Sequence, residues 1–208
     1  MSQKITSLYK LITLPLFYEL VQSALGRKKT RDYLCAGPLK TKTGDKVLDV
    51  GCGPATLRPF LLGDIDYLGM DMNPKHIEKA TEAYGHMGRF ICGNAVTEIH
   101  NAPGPYDIII CIGLLHHLDD DEAVELLGSL SERLSPTGRM ITYDPVYIEN
   151  QNLIAKKLND LDSGQNIRTP EGYKDLFDLG YVDLKTEVLS GMLNLPYNHC
   201  CNIATKAA

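Results

Sequence analysis

The chain has 208 residues, and its 26 acidic side chains outnumber its 21 basic ones, which gives a formal net charge of −5. This length suffices for one α/β domain of ordinary size and is too short for two. The acidic balance disfavours nucleic acid as a partner, because proteins that bind phosphate backbones present a basic surface. One basic run lies at residues 27–31, and short runs of this kind are usually solvated helix ends.

Six cysteines occur without a C-x-x-C pair and without a histidine at zinc-like spacing. Three of them, Cys52, Cys92 and Cys111, fall in or beside apolar runs, where a free thiol behaves as a small hydrophobe. We therefore expect reduced thiols, a cytoplasmic location and no bound metal. We expect no secretory signal, because the amino-terminal residues lack a long apolar core and a small-residue cleavage site. No apolar run reaches the roughly 20 residues of a membrane-spanning helix.

Strands and helices alternate along most of the chain. Apolar residues repeat at helical spacing over residues 5–26, with a break at Pro15, and predict two short amphipathic helices. After them we predict a helix or turn over 28–36, strands over 46–50, 66–71, 89–92, 106–112 and 138–143, and helices over 74–84, 119–134, 150–161 and 170–178. Strands over 182–188 and 198–204 close the chain as an antiparallel hairpin.

This alternation predicts an α/β fold, with a mostly parallel, doubly wound sheet, helices on both faces and an antiparallel edge. We interpret residues 1–208 as one domain. Within it, residues 1–40 form N-terminal helices, and residues 44–145 and 146–208 form two functional halves.

Polar residues or glycines follow each of the first four predicted strands. The carboxyl ends of parallel strands meet at one edge of the sheet, where open α/β sheets bind their ligands. The candidate binding residues at these strand ends are Asp49, Gly51, Cys52, Gly53, Asp71, Met72, Asn94, Ala95 and Ile112.

The residue types at this edge favour a nucleoside that carries an amino acid over a dinucleotide. A dinucleotide fingerprint requires a third glycine where this chain has Thr56. Asp49 would lie badly beside a pyrophosphate but suits an ammonium group, and the amides of the glycine turn suit a carboxylate. Asp71 lies 20 residues beyond Gly51, where either kind of cofactor has a ribose-binding acid. Asn94 is placed to meet an adenine amine, although a plain Asn turn explains it equally well.

The order of motifs resembles that of the class I S-adenosylmethionine-dependent methyltransferases. Four motifs carry this resemblance: V-L-D-V-G-C-G-P-A-T at 47–56, G-M-D-M-N at 69–73, C-G-N-A at 92–95 and Y-D-I-I-I-C-I-G-L-L-H-H-L at 106–118. The resemblance implies a seven-stranded sheet with its last strand antiparallel, S-adenosylmethionine as cofactor and S-adenosylhomocysteine as product. It supports residues 44–145 as the cofactor-binding half and 146–208 as the acceptor-side half. Many members have Asp at the position of Asn94, and we expect this difference to alter affinity only.

Two histidines follow the fourth strand, next to the place where the resemblance puts the reactive methyl group. His117 is our first candidate for the general base that takes a proton from the acceptor, and His116 is the second. The alternative is that these histidines cap or pack the following helix. Tyr147 and Arg168 are candidate acceptor-binding residues, although Arg168 equally suits a salt bridge at the strand edge.

The N-terminal helices have three interpretations. As a lid they would cover the cofactor and bring Tyr9 or Tyr18 to the acceptor. They would otherwise pack on the sheet, or contact a membrane surface that presents a lipid-linked substrate.

The acceptor class is suggested by the second half of the chain. The patterns D-S-G-Q-N-I-R-T-P-E-G-Y at 162–173 and P-Y-N-H-C at 196–200 resemble a bacterial branch of the family that is associated with surface-polysaccharide and sugar-modifying gene neighbourhoods. We therefore expect a hydroxyl or amine of a small molecule, first a free, nucleotide-linked or lipid-linked sugar and second a phenolic natural product. A non-catalytic scaffold subunit remains an alternative, and a nicotinamide-dependent oxidoreductase is disfavoured by Thr56 and by the lack of a Tyr-x-x-x-Lys pair.

Overall fold

The computed structural model describes residues 27–102, 104–177 and 182–206. The strands are β1 (Lys46–Val50), β2 (Asp66–Asp71), β3 (Arg89–Cys92), β4 (Tyr106–Ile112), β5 (Leu134–Pro145), β6 (Val182–Ser190) and β7 (Asn198–Lys206). The helices are α1 (Arg27–Ala36), α2 (Pro74–Tyr84), α3 (Ala95–Glu98), α4 (Asp120–Glu132), α5 (Leu153–Asp160) and α6 (Pro170–Asp175). Short 3-10 turns cover Arg58–Phe60, Ile99–Asn101 and Leu115–His117.

The seven strands form one sheet in the order β3-β2-β1-β4-β5-β7-β6. Strands β1 to β5 pair in parallel, and β7 is inserted antiparallel between β5 and β6. The predicted α/β fold with an antiparallel last strand is therefore confirmed. The start of β7 lies at the carboxyl edge, because His199 pairs with Pro145 at the end of β5.

Buried side chains on the strands alternate between two cores, one on each face of the sheet. On one face, Leu48 and Cys111 pack with Leu126 of α4 and Tyr173 of α6. On the other face, Val47, Ile110 and Tyr143 belong to a core that includes Leu34 of α1. The strands are thus covered on both faces, and their carboxyl ends leave a polar edge between two rigid layers.

Several boundaries differ from the predictions. β5 begins at Leu134 and ends at Pro145, because its first residue pairs with β4 across an irregular register and its last pairs with β7. Pro136 and Gly138 hide this long strand in the sequence pattern. Helix α5 is shorter than predicted, since Asn152 caps its start by accepting a hydrogen bond from the Ile154 amide at 2.8 Å.

The helices predicted over residues 5–26 lie outside the described residues. Among the helices that the structure describes, none has the length and apolar character needed to cross a membrane.

Candidate active site

A glycine turn follows β1 at the carboxyl edge. Gly51 and Gly53 adopt φ angles of +72° and +55°, which favour glycine. The amides of Gly51 and Cys52 both donate to the carbonyl of Met70, at 2.8 and 3.0 Å, so the turn is tied to the end of β2. A side-chain carbon built on Gly53 would meet no atom within 4 Å. The backbone of this turn therefore faces open space, where a ligand can approach it closely.

Asp71 fixes the second strand end to the glycine turn. One of its carboxylate oxygens accepts from the Gly53 amide at 2.9 Å. The other oxygen accepts from the Asn73 amide at 2.8 Å and lies 3.2 Å from Nδ1 of His76. A carboxylate offers about four acceptor positions, so these contacts leave room for a hydroxyl donor. The sequence analysis did not identify His76, although its position in the first turn of a helix after an acidic strand end signals such a contact.

Asp49 is buried beneath the glycine turn. Its Oδ2 accepts a hydrogen bond of 2.6 Å from the hydroxyl of Tyr67, which is itself buried. Burial raises the pKa of Asp49 to about 6, and the bond from Tyr67 opposes this rise. A cationic group bound nearby would stabilise the ionised carboxylate. The sequence analysis did not identify Tyr67, because the contact joins neighbouring strands.

The remaining predicted cofactor residues are spread along the same edge. Met72 is 72% exposed, which is unusual for a large apolar side chain that directly follows a buried strand. Asn94 is exposed and caps α3, since its Oδ1 accepts from the Val96 amide at 2.9 Å. Ala95 and Ile112 are half-buried beside it and at the end of β4, respectively.

His116 is held between two carboxylates. Its Nδ1 lies 2.8 Å from Oδ1 of Asp144 at the end of β5, and its Nε2 lies 3.5 Å from Oδ1 of Asp162. Burial lowers the pKa of His116, but the bonds to Asp144 and Asp162 outweigh it and raise the pKa to about 9. The ring is therefore charged at neutral pH. A charged histidine has no free base position, so this geometry disfavours His116 as the general base.

His117 has the opposite environment. Its ring lies against that of His116, with centroids 4.1 Å apart, and the residue is exposed. Partial burial of the ring, followed by the charge on His116, lowers the pKa of His117 from its usual 6.5. The imidazole is therefore neutral at pH 7 and able to take a proton.

The turn that carries both histidines sits against the glycine turn. A side-chain carbon on Gly51 would lie 3.2 Å from Cδ1 of Leu114, so these two turns touch. The absence of a side chain at Gly51 thus brings the end of β4 close to the end of β1. His117 accordingly lies beside the predicted cofactor site.

The Arg168 guanidinium is fully engaged in hydrogen bonds within the chain. Its guanidinium donates to Oδ1 of Asp120 at 2.7 and 2.9 Å and to the carbonyls of Leu115, Asn166 and Leu118 at 2.9 to 3.0 Å. These contacts engage all five N–H groups of the side chain. The geometry supports the salt-bridge interpretation of Arg168, and an acceptor would have to displace one of these bonds.

Tyr147, the other predicted acceptor residue that the structure describes, contacts helix α5. The hydroxyl of Tyr147 donates to Asp160 at 2.7 Å. Tyr9 and Tyr18 lie outside the described residues.

Three aromatic residues that the sequence analysis did not assign to the site line the edge formed by β5 and β7. His199 stacks on Tyr143 with centroids 4.5 Å apart, and Tyr197 packs edge-on against His199 at 5.1 Å. The Tyr197 hydroxyl donates to Oδ2 of Asp162 at 3.3 Å. Burial, followed by the charge on His116, lowers the pKa of His199 to about 4, so this ring is neutral. The polar cluster Tyr-Asn-His beside a proline was the available sequence signal.

The chain's own residues fit an adenosyl cofactor. The bare backbone at Gly53 lies beside the carboxylate of Asp71, and the exposed thioether of Met72 follows directly. The backbone suits a carboxylate of the ligand, the Asp71 carboxylate suits ribose hydroxyls, and the Met72 thioether suits a purine face. The fold and this edge define an open α/β protein whose strand ends form a candidate ligand-binding edge.

Comparison with known proteins specifies that class. Residues 47–138 match the family model described as a methyltransferase domain. The ubiquinone biosynthesis O-methyltransferase of Pectobacterium carotovorum is 33% identical over 87 residues, which are 39% of this chain and 36% of that protein. The chain thus spans about a third of the length of this curated relative.

Solved structures share the fold. Mitomycin 7-O-methyltransferase MmcR superposes with a TM-score of 0.68 at 18% identity, over 96% of this chain and 60% of that one. Magnesium protoporphyrin IX methyltransferase ChlM from Synechocystis, solved with bound S-adenosylhomocysteine, superposes with a TM-score of 0.65 at 21% identity, over 90% of this chain and 87% of that one. These comparisons show similarity to a methyltransferase domain over residues 47–138, and they show that the chain shares the fold of solved methyltransferases over most of its length.

Proposed function

We propose that this protein transfers a methyl group from S-adenosylmethionine to a hydroxyl or amine of a small molecule. The observation that carries the proposal is the exposed imidazole of His117 with its lowered pKa, on a turn whose start packs on the glycine turn. Residues 44–145 serve as the cofactor half, and residues 146–208 serve as the acceptor half.

The cofactor half has a separate group for each part of the ligand. The backbone at Gly51, Cys52 and Gly53 suits the methionine carboxylate, and Asp49 suits its ammonium group. Asp71 suits the ribose hydroxyls. Met72, Asn94, Ala95 and Ile112 suit the adenine. When bound, S-adenosylmethionine supplies a methyl group already activated by a positively charged sulfur.

The protein's remaining tasks are alignment and removal of one proton. As the new bond to the acceptor oxygen or nitrogen forms and the carbon–sulfur bond breaks, His117 takes the proton that the acceptor loses. His117 then releases this proton to solvent, since the residue is exposed.

The acceptor we propose first is a free, nucleotide-linked or lipid-linked sugar or glycan precursor, on the resemblance of the C-terminal half to a bacterial branch associated with sugar-modifying gene neighbourhoods. A phenolic hydroxyl is the second candidate. It is favoured by the activities named for the ubiquinone and mitomycin O-methyltransferases and by the rings of Tyr143, Tyr197 and His199 at the acceptor edge. The six free cysteines support a cytoplasmic location.

Incubation with methyl-labelled S-adenosylmethionine tests the proposal. A bacterial extract is separated into small molecules, lipids, protein and nucleic acid, and each fraction is offered to the purified protein. We expect label in the small-molecule or lipid fraction, and liquid chromatography with mass spectrometry then separates methylated sugars from methylated phenols. Label in protein or nucleic acid would contradict the proposed acceptor class. Absence of label in every fraction despite cofactor binding would favour the scaffold alternative.

A further inference from the structure

We infer that His116 is a positioning residue, whose charged ring docks residues 162–168 onto the carboxyl edge of the sheet and so fixes the acceptor-side wall beside His117. The statement that this wall faces the acceptor rests on the proposed function. The docking itself is a property of this chain that can be measured without turnover.

The contacts of His116 reach the docked segment through both the side chain and the main chain. The ring approaches Asp162 through Nε2, and the His116 carbonyl accepts from the Asn166 amide at 3.0 Å. The other side of the residue is anchored to β5, because Asp144 accepts from both Nδ1 and the backbone amide of His116, at 2.8 and 3.3 Å. His116 therefore links the end of a central strand to a segment more than 40 positions away in the chain.

The segment is shaped to fit this residue. Gly164 is buried, and a side-chain carbon built there would overlap the His116 ring and lie 2.7 Å from the His116 carbonyl oxygen. Its amide donates to Oδ1 of Asp162 at 2.8 Å, the same oxygen that faces the His116 ring. A bare glycine is thus required for close approach of the segment to His116.

A second attachment sets the far end of the segment. Val146 and Arg168 form an isolated parallel bridge, and the Tyr147 amide donates to the Arg168 carbonyl at 3.0 Å. The Arg168 side chain reaches back to the turn that carries the histidines. Between the two attachments, residues 162–168 lie against His116, the chain neighbour of the exposed His117.

The charge of His116 is central to the docking. The titratable groups that face it are Asp144 from β5, Asp162 from the segment, His117 from its own turn and His199 from β7. The two aspartates are the acidic groups of this set, and both neighbouring histidines have lowered pKa values. When His116 loses its proton, a neutral ring donates through only one nitrogen and faces two carboxylates.

The sign of the pH dependence follows from the raised pKa. The folded value of about 9 lies above the usual 6.5, so docking adds stability that is complete below about pH 6.5 and is lost as the pH rises through 9. The ring in the folded protein stays charged until about pH 9. Docking of the segment should therefore loosen above that pH.

Amide hydrogen exchange of the folded protein measures the docking directly. We expect protection of Gly164 and Asn166 to fall above about pH 9 in the natural sequence and to be lost at every pH in His116→Asn. His116→Lys keeps a positive charge and should restore part of the protection and shift its loss to higher pH. His86→Asn changes an exposed histidine on the loop before β3 and should leave the segment unchanged. Equal protection in the natural protein and His116→Asn would overturn the inference.

Kinetics separate positioning from catalysis. In the natural sequence we expect kcat/KM to fall above about pH 9 as the segment loosens. His116→Asn should abolish this fall and raise KM for the acceptor about tenfold. Its dissociation constant for S-adenosylhomocysteine should stay within about twofold of the natural value. A loss of kcat with unchanged protection of Gly164 and Asn166 would instead make His116 the base. If no acceptor is methylated, the proposed function fails, yet the exchange measurement still decides the docking.

A second pair of variants addresses the case in which His116→Asn does not fold. Gly164→Ala should displace the segment, lower its amide protection and raise acceptor KM, whereas Ser163→Ala, at the exposed neighbouring position, should leave the protection of the segment unchanged. Equal protection in both variants would contradict the inference, because of these two positions it is Gly164 that lies against the His116 ring.

Discussion

The two halves of the carboxyl edge are built differently. On the proposed cofactor side, contacts span short sequence distances: Asp71 binds the amides of Gly53 and Asn73, which lie 18 and 2 positions away. On the proposed acceptor side, side chains join more distant segments: His116 binds Asp144 at a separation of 28, and Arg168 binds Asp120 at 48. Short motifs can therefore specify the proposed cofactor site, whereas the proposed acceptor site depends on how distant segments assemble. Such a difference would let one fold keep its cofactor while its acceptor changes.

The largest effect that separates the two sides is expected from His117→Gln. Glutamine cannot accept the acceptor's proton as an imidazole does, so kcat should fall by about 10² to 10⁴. The dissociation constant for S-adenosylhomocysteine, measured by calorimetry, should stay unchanged because His117 is not among the predicted cofactor residues. His100→Gln, at an exposed position in the turn after α3, is the control and should retain full activity. Unchanged kcat in His117→Gln would remove His117 from catalysis.

A smaller effect, on cofactor affinity and not on kcat, is expected from Asp71→Asn. The amide weakens charge-assisted bonds to the turn and to the ribose, each worth roughly 1.5 to 3 kcal/mol. We expect the dissociation constant for S-adenosylhomocysteine to rise about ten- to a hundredfold. Asp66→Asn, at the exposed opposite end of β2, is the matched control and should bind normally. Equal affinity for both variants would place the ribose elsewhere.

Arg168→Ala tests whether the acceptor half depends on long-range contacts for its stability. The change removes bonds to three carbonyls and to Asp120, and leaves part-buried carbonyls without a donor. We expect the free energy of unfolding to fall by about 1 to 3 kcal/mol in urea denaturation. Arg89→Ala removes an exposed ion pair with Asp66 and should cost less than about 0.5 kcal/mol. A similar cost for both arginines would argue against a structural role for Arg168.

The smallest effect is expected from Asn94→Asp, which introduces the residue that many class I methyltransferases have at this position. Aspartate still caps α3 through the Val96 amide and adds a charged acceptor for an adenine amine. Affinity for S-adenosylhomocysteine should increase about two- to fivefold. Asn152→Asp makes the same change at the cap of α5 and should leave cofactor affinity unaltered. Weaker binding in Asn94→Asp would show that the amide itself is needed.

The same contrast explains which strands and contacts could be predicted from the sequence. The bounds of the first four strands are confirmed residue for residue, because each is an apolar run between turn residues. The length of β5 could not be predicted, since its ends are stabilised by pairing with β4 and β7. The clamp of His116 between Asp144 and Asp162 was equally inaccessible, because it requires the order of the strands and the path of the later segment. The sequence ranked His117 ahead of His116 as the candidate base, and burial and the carboxylate partners of His116 give that order a physical basis.

The measurement that tests the account most directly follows methyl transfer to the active extract fraction while S-adenosylmethionine is raised to saturation. Asp71→Asn and His117→Gln are compared in parallel with the natural sequence. We predict that Asp71→Asn regains nearly the natural rate at saturating cofactor and that His117→Gln stays slow at every concentration. Recovery of both variants, or of neither, would contradict the division of the edge into a cofactor side and an acceptor side.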